Sequence, residues 1–197
     1  IAAAAWGFLW VVDEAQDWLY TDLPDDLGFD SVPTWWPLPL LALAGLLVGL
    51  TIRHLPGEGG ESPADGFQPG RGAPSPIELP GIFLAALAGL SLGVVIGPEA
   101  PLIALGGGLG VCAVRLASRD APPRAEAVIA AAGSFSAIST LFGSPLLAAF
   151  LLMEASGLAG PTLALVLVPG LVAAGVGSLI FIGLDSWTGL GTTSLVI

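Results

Sequence analysis

Three long windows of this chain carry no charged residue at all: Leu79 to Pro98, Ala127 to Met153, and Ala155 to Leu184. Each meets the roughly 18-residue criterion for a helix that crosses a bilayer. A soluble domain carries about 25% charged residues, whereas this chain carries 11% and is 54% hydrophobic. The composition therefore predicts an integral membrane protein of all-α type, since lipid tolerates only helices and closed barrels.

The charges that remain are segregated. Seven of the sixteen acids lie in "DEAQDWLYTDLPDDLGFD", Asp13 to Asp30, a stretch without a base. All five arginines lie elsewhere, as Arg53 and Arg71 and then as Arg115, Arg119 and Arg124. The positive-inside rule predicts that both arginine loops are cytoplasmic and the acidic loop is external. The acidic run reads as a solvated loop rather than a cation site. No basic surface exists for nucleic acid. The lone Cys112 sits in an apolar run and excludes a disulfide framework, and His54 beside Arg53 reads as a loop residue. No Ser/His pair, paired aspartates or metal-ligand spacing falls on facing helices, so no enzyme activity and no cofactor are implied.

Crossings follow from the arginine loops. Ile1 to Val12 reads as the end of a cut helix, in an excerpt of a longer protein, and residues 13–34 as the acidic external loop. Trp35 to Ile52 returns, Arg53 to Glu78 is a Gly/Pro-rich loop, Leu79 to Gly97 leaves, and Ala100 to Val114 comes back. Ala127 to Phe142 then leaves and breaks at "FGSP"; Pro145 to Ser156 turns back; Pro161 to Leu184 leaves, with residues 185–197 external. Trp10, Trp18, Trp35, Trp36 and Trp187 are placed to form an outer aromatic belt. Pro145 to Ser156 is too short to cross about 30 Å at 1.5 Å per residue. Breaks are expected at Gly97-Pro98, Gly143-Ser144-Pro145 and Pro169-Gly170. Irregular backbone at membrane depth survives only inside protein or along a water-filled path, and half-helix N-termini are how transporters hold anionic groups. The small residues of "LGGGLG" and "AAAGSFSAIS" are expected to serve close helix packing.

The stretch "GPEAPLIALGGGLG" (residues 97–110) sets Glu99 between Pro98 and Pro101. Proline suits the first turn of a helix, so the segment predicts a helix N-terminus with an acid in its first turn. That acid is either an ordinary cap or a carboxylate standing where an anion would otherwise bind.

From roughly Arg53 to Leu184 the chain resembles the CLC family of chloride channels and proton-coupled chloride exchangers. "GPEAP" (Gly97 to Pro101) is similar to the family's G-(K/R)-E-G-P signature, and the glycines that follow keep its spacing. "AAAGSFSAISTLFGSPLLAAFLLMEA" (Ala130 to Ala155) resembles the family's small-residue stretch, Phe-x-x-Pro-Leu break and short helix ending in acid. The resemblance implies the first of two inverted repeats with broken and re-entrant helices (35–184), roughly helices C to I. It also implies a homodimer whose face includes the helices matching Pro145–Ser156 and Pro161–Leu184, in a bacterial plasma membrane. Chloride or a similar small anion is the implied substrate, Glu99 the implied gate, and Gly97, Glu99, Ala100 and Ser62 the implied anion-binding residues.

Three departures bear on that reading. Pro98 replaces a basic residue and removes a backbone donor. The pore's Gly-Ser-Gly-Ile-Pro motif is shadowed by "GGESPADG", with either Glu61 or Ser62 at the serine position; Ser62 is preferred because a hydroxyl can donate to chloride. Exchangers keep a proton-relay glutamate after the short helix; Ala155 stands there, and Glu154 matches the neighbouring acid. The readings are thus an anion channel gated by Glu99, an exchanger with a relocated proton path, or a degenerate scaffold that no longer conducts. The resemblance implies that the chain ends before the family's second, inverted repeat, which would carry its own half-helix and pore tyrosine.

Overall fold

The computed structural model describes residues 1–57, 74–118, 121–156, 164, 167–177 and 179. Among them all regular structure is helical, without strands: α1 (Ala2–Asp17), α2 (Leu23–Asp26), α3 (Pro37–His54), α4 (Leu79–Ser91), α5 (Glu99–Ala117), α6 (Pro123–Phe142), α7 (Pro145–Ser156) and α8 (Leu167–Gly177). Three of these, α3, α5 and α6, are long and apolar enough to cross a membrane.

Proline and glycine punctuate most boundaries. Prolines occupy the first turn of α3, α4 and α6, where a missing N–H costs nothing. Helix α6 stops at Gly143, whose φ of 60° is left-handed backbone that glycine adopts without strain.

The core is organised around α6. Ten consecutive residues, Ala130 to Ser139, are buried, which means that this helix is covered on every side. Only small residues allow that density: on one side Gly106 and Gly110 of α5 bring the backbones together, and on another Phe135 lies against Gly170 of α8. Phe135, Ile138, Ala148 and Ala174 form one apolar cluster; Ala137 joins Ala5, Phe8, Leu90 and Leu102 in a second, between α1, α4, α5 and α6. Serine hydroxyls tie the helices across: Ser134 Oγ donates to the Ile103 carbonyl at 2.8 Å and Ser136 Oγ to that of Ala173 at 3.4 Å. In contrast, α3 buries only Ala44 and presents its leucines outward, as a lipid-facing helix should.

Several sequence expectations shift. The first helix does not end at Val12. It continues through Asp17, passes into a π-helical turn (Trp18–Asp22) and then α2, because nothing between Val12 and Pro24 breaks a helix. The seven acids are all exposed, as expected of a solvated segment, but all except Asp30 stand on helical backbone rather than in a loop. His54 is not in a loop either: it closes α3, its Nδ1 2.9 Å from the Leu50 carbonyl oxygen. The outward segment from Leu79 stops at Ser91 rather than Gly97. The break expected at Pro169-Gly170 is absent, the backbone being helical there; Gly170 instead makes room for the Phe135 ring. Trp10, Trp18 and Trp35 are about half exposed, as a belt requires, but Trp36 is buried with its Nε1 donating to the Leu19 carbonyl at 3.0 Å. Trp187 lies outside the described residues.

The charge segregation persists in three dimensions. Helix α3 ends at Arg53 and His54 next to the start of α4, where Pro56 meets Gly81. The last turn of helix α5 carries Arg115, whose guanidinium forms two hydrogen bonds to the Glu126 carboxylate at the start of α6, at 3.0 and 3.3 Å. The acidic segment sits at the opposite end, against the C-terminus of α4.

Candidate functional site: the N-terminus of α5

Helix α5 begins at Glu99 with Pro98 as its N-cap, and no side chain caps it. The sequence itself limits which donors this terminus can offer. The first N–H groups of a helix have no intrahelical acceptor, but Pro98 and Pro101 have no N–H at all. The first bonded amide is Leu102, donating to the Pro98 carbonyl at 3.0 Å. That leaves the amides of Gly97, Glu99 and Ala100, none with a hydrogen-bond acceptor among the described residues. All three residues are exposed. They lie at the positive end of the α5 dipole, which favours a negative group there.

The Glu99 side chain turns back along the chain. Its carboxylate lies so close over Gly97 that a Cβ at position 97 would collide with it. A side chain at 97 would oblige the carboxylate to turn away. Glu99 has no ion pair among the described residues. The carboxylate thus shares its neighbourhood with three unengaged backbone donors, the arrangement in which an anion and a carboxylate compete for one place.

The structure brings Gly97, Glu99 and Ala100 together. Ser62 and Glu61 lie outside the described residues. Glu154 and Ala155 belong to the last turn of α7, and their side chains are outside the described residues. An apolar cavity of about 530 Å³ between α1, α4, α5 and α6, lined by Leu79, Phe83, Leu102, Leu105 and Ala137, is separate from Glu99. Its described lining is almost wholly apolar.

The loop that delivers Glu99 is held by residues that sequence reading passed over. Helix α4 ends with Gly93 at a φ of 89°. The Gly93 amide donates to the Leu90 carbonyl (3.1 Å) and the Val94 amide to that of Gly89 (3.0 Å), the paired bonds of a Schellman end. Two side chains from the acidic segment complete it: Gln16 Nε2 donates to the Leu90 carbonyl at 2.7 Å and the Tyr20 hydroxyl to that of Leu92 at 3.0 Å. Burial pushes the Tyr20 phenol above its usual pKa, so it remains a protonated donor. The signal was present in the sequence: the chain's only tyrosine stands four residues after a glutamine, on one helix face, within a run of acids.

Comparison with known proteins agrees with an all-helical membrane fold. The family model described as "Voltage gated chloride channel" matches residues 40–194. The chain is 37% identical over 144 residues to "Putative ion-transport protein YfeO" of Salmonella newport (strain SL254), an alignment covering 71% of this chain and 33% of that protein. Proteins of the same description from Salmonella typhimurium and Salmonella paratyphi A match to the same extent. The chain spans about a third of the length of these curated relatives. No solved structure matches it. With its apolar helices built around α6 and its acid at the head of α5, the chain belongs to the voltage gated chloride channel family.

Proposed function

We propose that this chain forms the first repeat of an anion-transporting membrane protein in which Glu99 is the gate, with chloride or a similar small anion as the substrate. One observation carries the reading: the Glu99 carboxylate lies over Gly97 beside the open amides of Gly97, Glu99 and Ala100. A carboxylate there occupies an anion's place, and protonation removes its charge and its reason to stay. Exposed Val95 and Ile96, adjoining the site, support its being one wall of a path whose other wall comes from further protein. Ser62 is the proposed hydroxyl donor to the anion from the preceding loop. The arginine end is proposed to be cytoplasmic and the Glu99 end external. The exposed Leu146 and Phe150 of α7 support a homodimer through α7 and α8.

Two features favour a second reading, a scaffold that no longer conducts: Pro98 deletes a donor, and the serine motif is eroded. Anion efflux from liposomes containing the full-length protein separates the two. The gated reading expects efflux that rises as pH falls, and it expects Glu99→Gln and Glu99→Ala to flatten that dependence at a high level. If both variants keep the parent's pH profile, Glu99 is only a cap. If the parent moves no anion, the scaffold reading holds.

A further inference from the structure

Leu92 to Pro98 is all that separates α4 from Glu99, and beyond its Gly93 turn the link is Val94 to Pro98. Little within that link fixes its course. Val95 and Ile96 are exposed, and its internal backbone bond runs only from the Ile96 amide to the Val94 carbonyl, at 2.8 Å. Its starting point, however, is tightly held. Tyr20 and Gln16 bond to carbonyls 72 and 74 residues further along the chain, and the Tyr20 hydroxyl fills the space where a Cβ on Gly93 would stand. Both residues precede position 40, where the family match begins. Tyr20 also lies in the π-helical turn Trp18–Asp22. Such turns are rare and cluster at functional sites.

We infer that Tyr20, assisted by Gln16, is a positioning residue for Glu99: by fixing Leu90 to Gly93 it sets where the short link delivers the gating carboxylate. The inference rests on the reading of Glu99 as a gate. It assigns the acidic N-terminal segment a task beyond solvation, as a brace on the outer side of the anion path. Removing the hydroxyl while keeping the ring takes away the hold on Leu92 and loosens the link at its α4 end, and the carboxylate's resting place shifts.

The test is a double-mutant cycle on anion flux in liposomes, using the full-length protein as parent, Tyr20→Phe, Glu99→Gln, and the double variant. Tyr20→Phe is expected to change flux by about two- to tenfold, the effect of one hydrogen bond on an equilibrium. The same change in the Glu99→Gln background is expected to have no effect, because no charged gate remains to be positioned. Gln16→Leu, taken through the same cycle, should behave alike and serves if Tyr20→Phe does not fold. Equal effects in both backgrounds would make the tyrosine merely structural and overturn the inference. So would a Tyr20→Phe flux equal to the parent's while Glu99→Gln alters it. If Glu99→Gln itself leaves flux and its pH profile unchanged, the gate reading falls, and the inference with it.

Discussion

Gly106 on α5 and Gly133 on α6 meet backbone to backbone. A Cβ on Gly106 would come within 2.5 Å of the Gly133 carbonyl oxygen, and one on Gly133 would strike the Gly106 carbonyl. Four residues on, Gly110 repeats the approach, a Cβ there standing 2.6 Å from the Ile129 carbonyl oxygen. Lipid offers helices no hydrophobic drive to associate, so close van der Waals contact and interhelical hydrogen bonds must supply it. This contact, with the Ser134 bond to Ile103, fixes the register of α5 against α6.

Gly106→Ala should lower the thermal stability of the full-length protein in detergent by about 1–3 kcal/mol, the usual cost of overpacking. Gly49→Ala is the control. Nothing lies within 4 Å of a Cβ there, on the lipid-facing α3, so that change should be neutral or stabilising by roughly 0.5–1 kcal/mol. Equal melting of Gly106→Ala and the parent would contradict the close approach.

Gly93→Ala should destabilise by more than a helix propensity change can explain. Its φ of 89° is left-handed backbone, which costs a non-glycine residue roughly 1–2 kcal/mol, and the new methyl would displace the Tyr20 hydroxyl. Combining Gly93→Ala with Tyr20→Phe should cost less than the sum of the two, measured as melting temperatures, because both act on one contact.

Proton coupling is expected to be weak or absent. A relay needs a titratable group, and on the resemblance to the family Ala155 is read at the position of the exchangers' inner carboxylate. Glu154, one residue earlier on α7, is displaced by about 100° around the helix. A chloride gradient imposed on liposomes with the full-length protein should therefore drive little proton movement. Sustained uphill proton transport that survives Glu154→Gln would establish an exchanger with another proton route.

The acids at the Glu99 end should slow anion entry through their summed field. Asp13→Asn and Asp17→Asn together are expected to raise initial chloride flux at low ionic strength. The gain should fade as the screening length contracts from about 30 Å at 0.01 M to about 8 Å at 0.15 M salt. No difference at low salt would place these acids away from the anion's approach.

Much of this architecture was written locally. Pro145 to Ser156 emerged with the boundaries its proline and flanking residues imply, and α5 begins at the acid between two prolines. The donor set of the site is equally local, since Pro98 and Pro101 delete their own amides whatever the surroundings. These features depend on backbone sterics and on the presence or absence of an N–H, which neighbouring residues settle among themselves.

What only the tertiary structure decided depends on groups distant in sequence. Val94 to Ile96 is as apolar as the helix before it, so composition runs the segment on to Gly97. The helix stops at Ser91 because Gly93 turns left-handed and Gln16 and Tyr20 arrive to satisfy the freed carbonyls. Trp36 reads as one more belt tryptophan until its indole is found donating to Leu19. The sequence by itself determined a membrane protein, the starts of α4 and α7, and an acid in the first turn of a helix. The fold decided where that acid's loop is anchored, because a hydrogen bond spanning 72 residues exists only once packing has brought its two ends together.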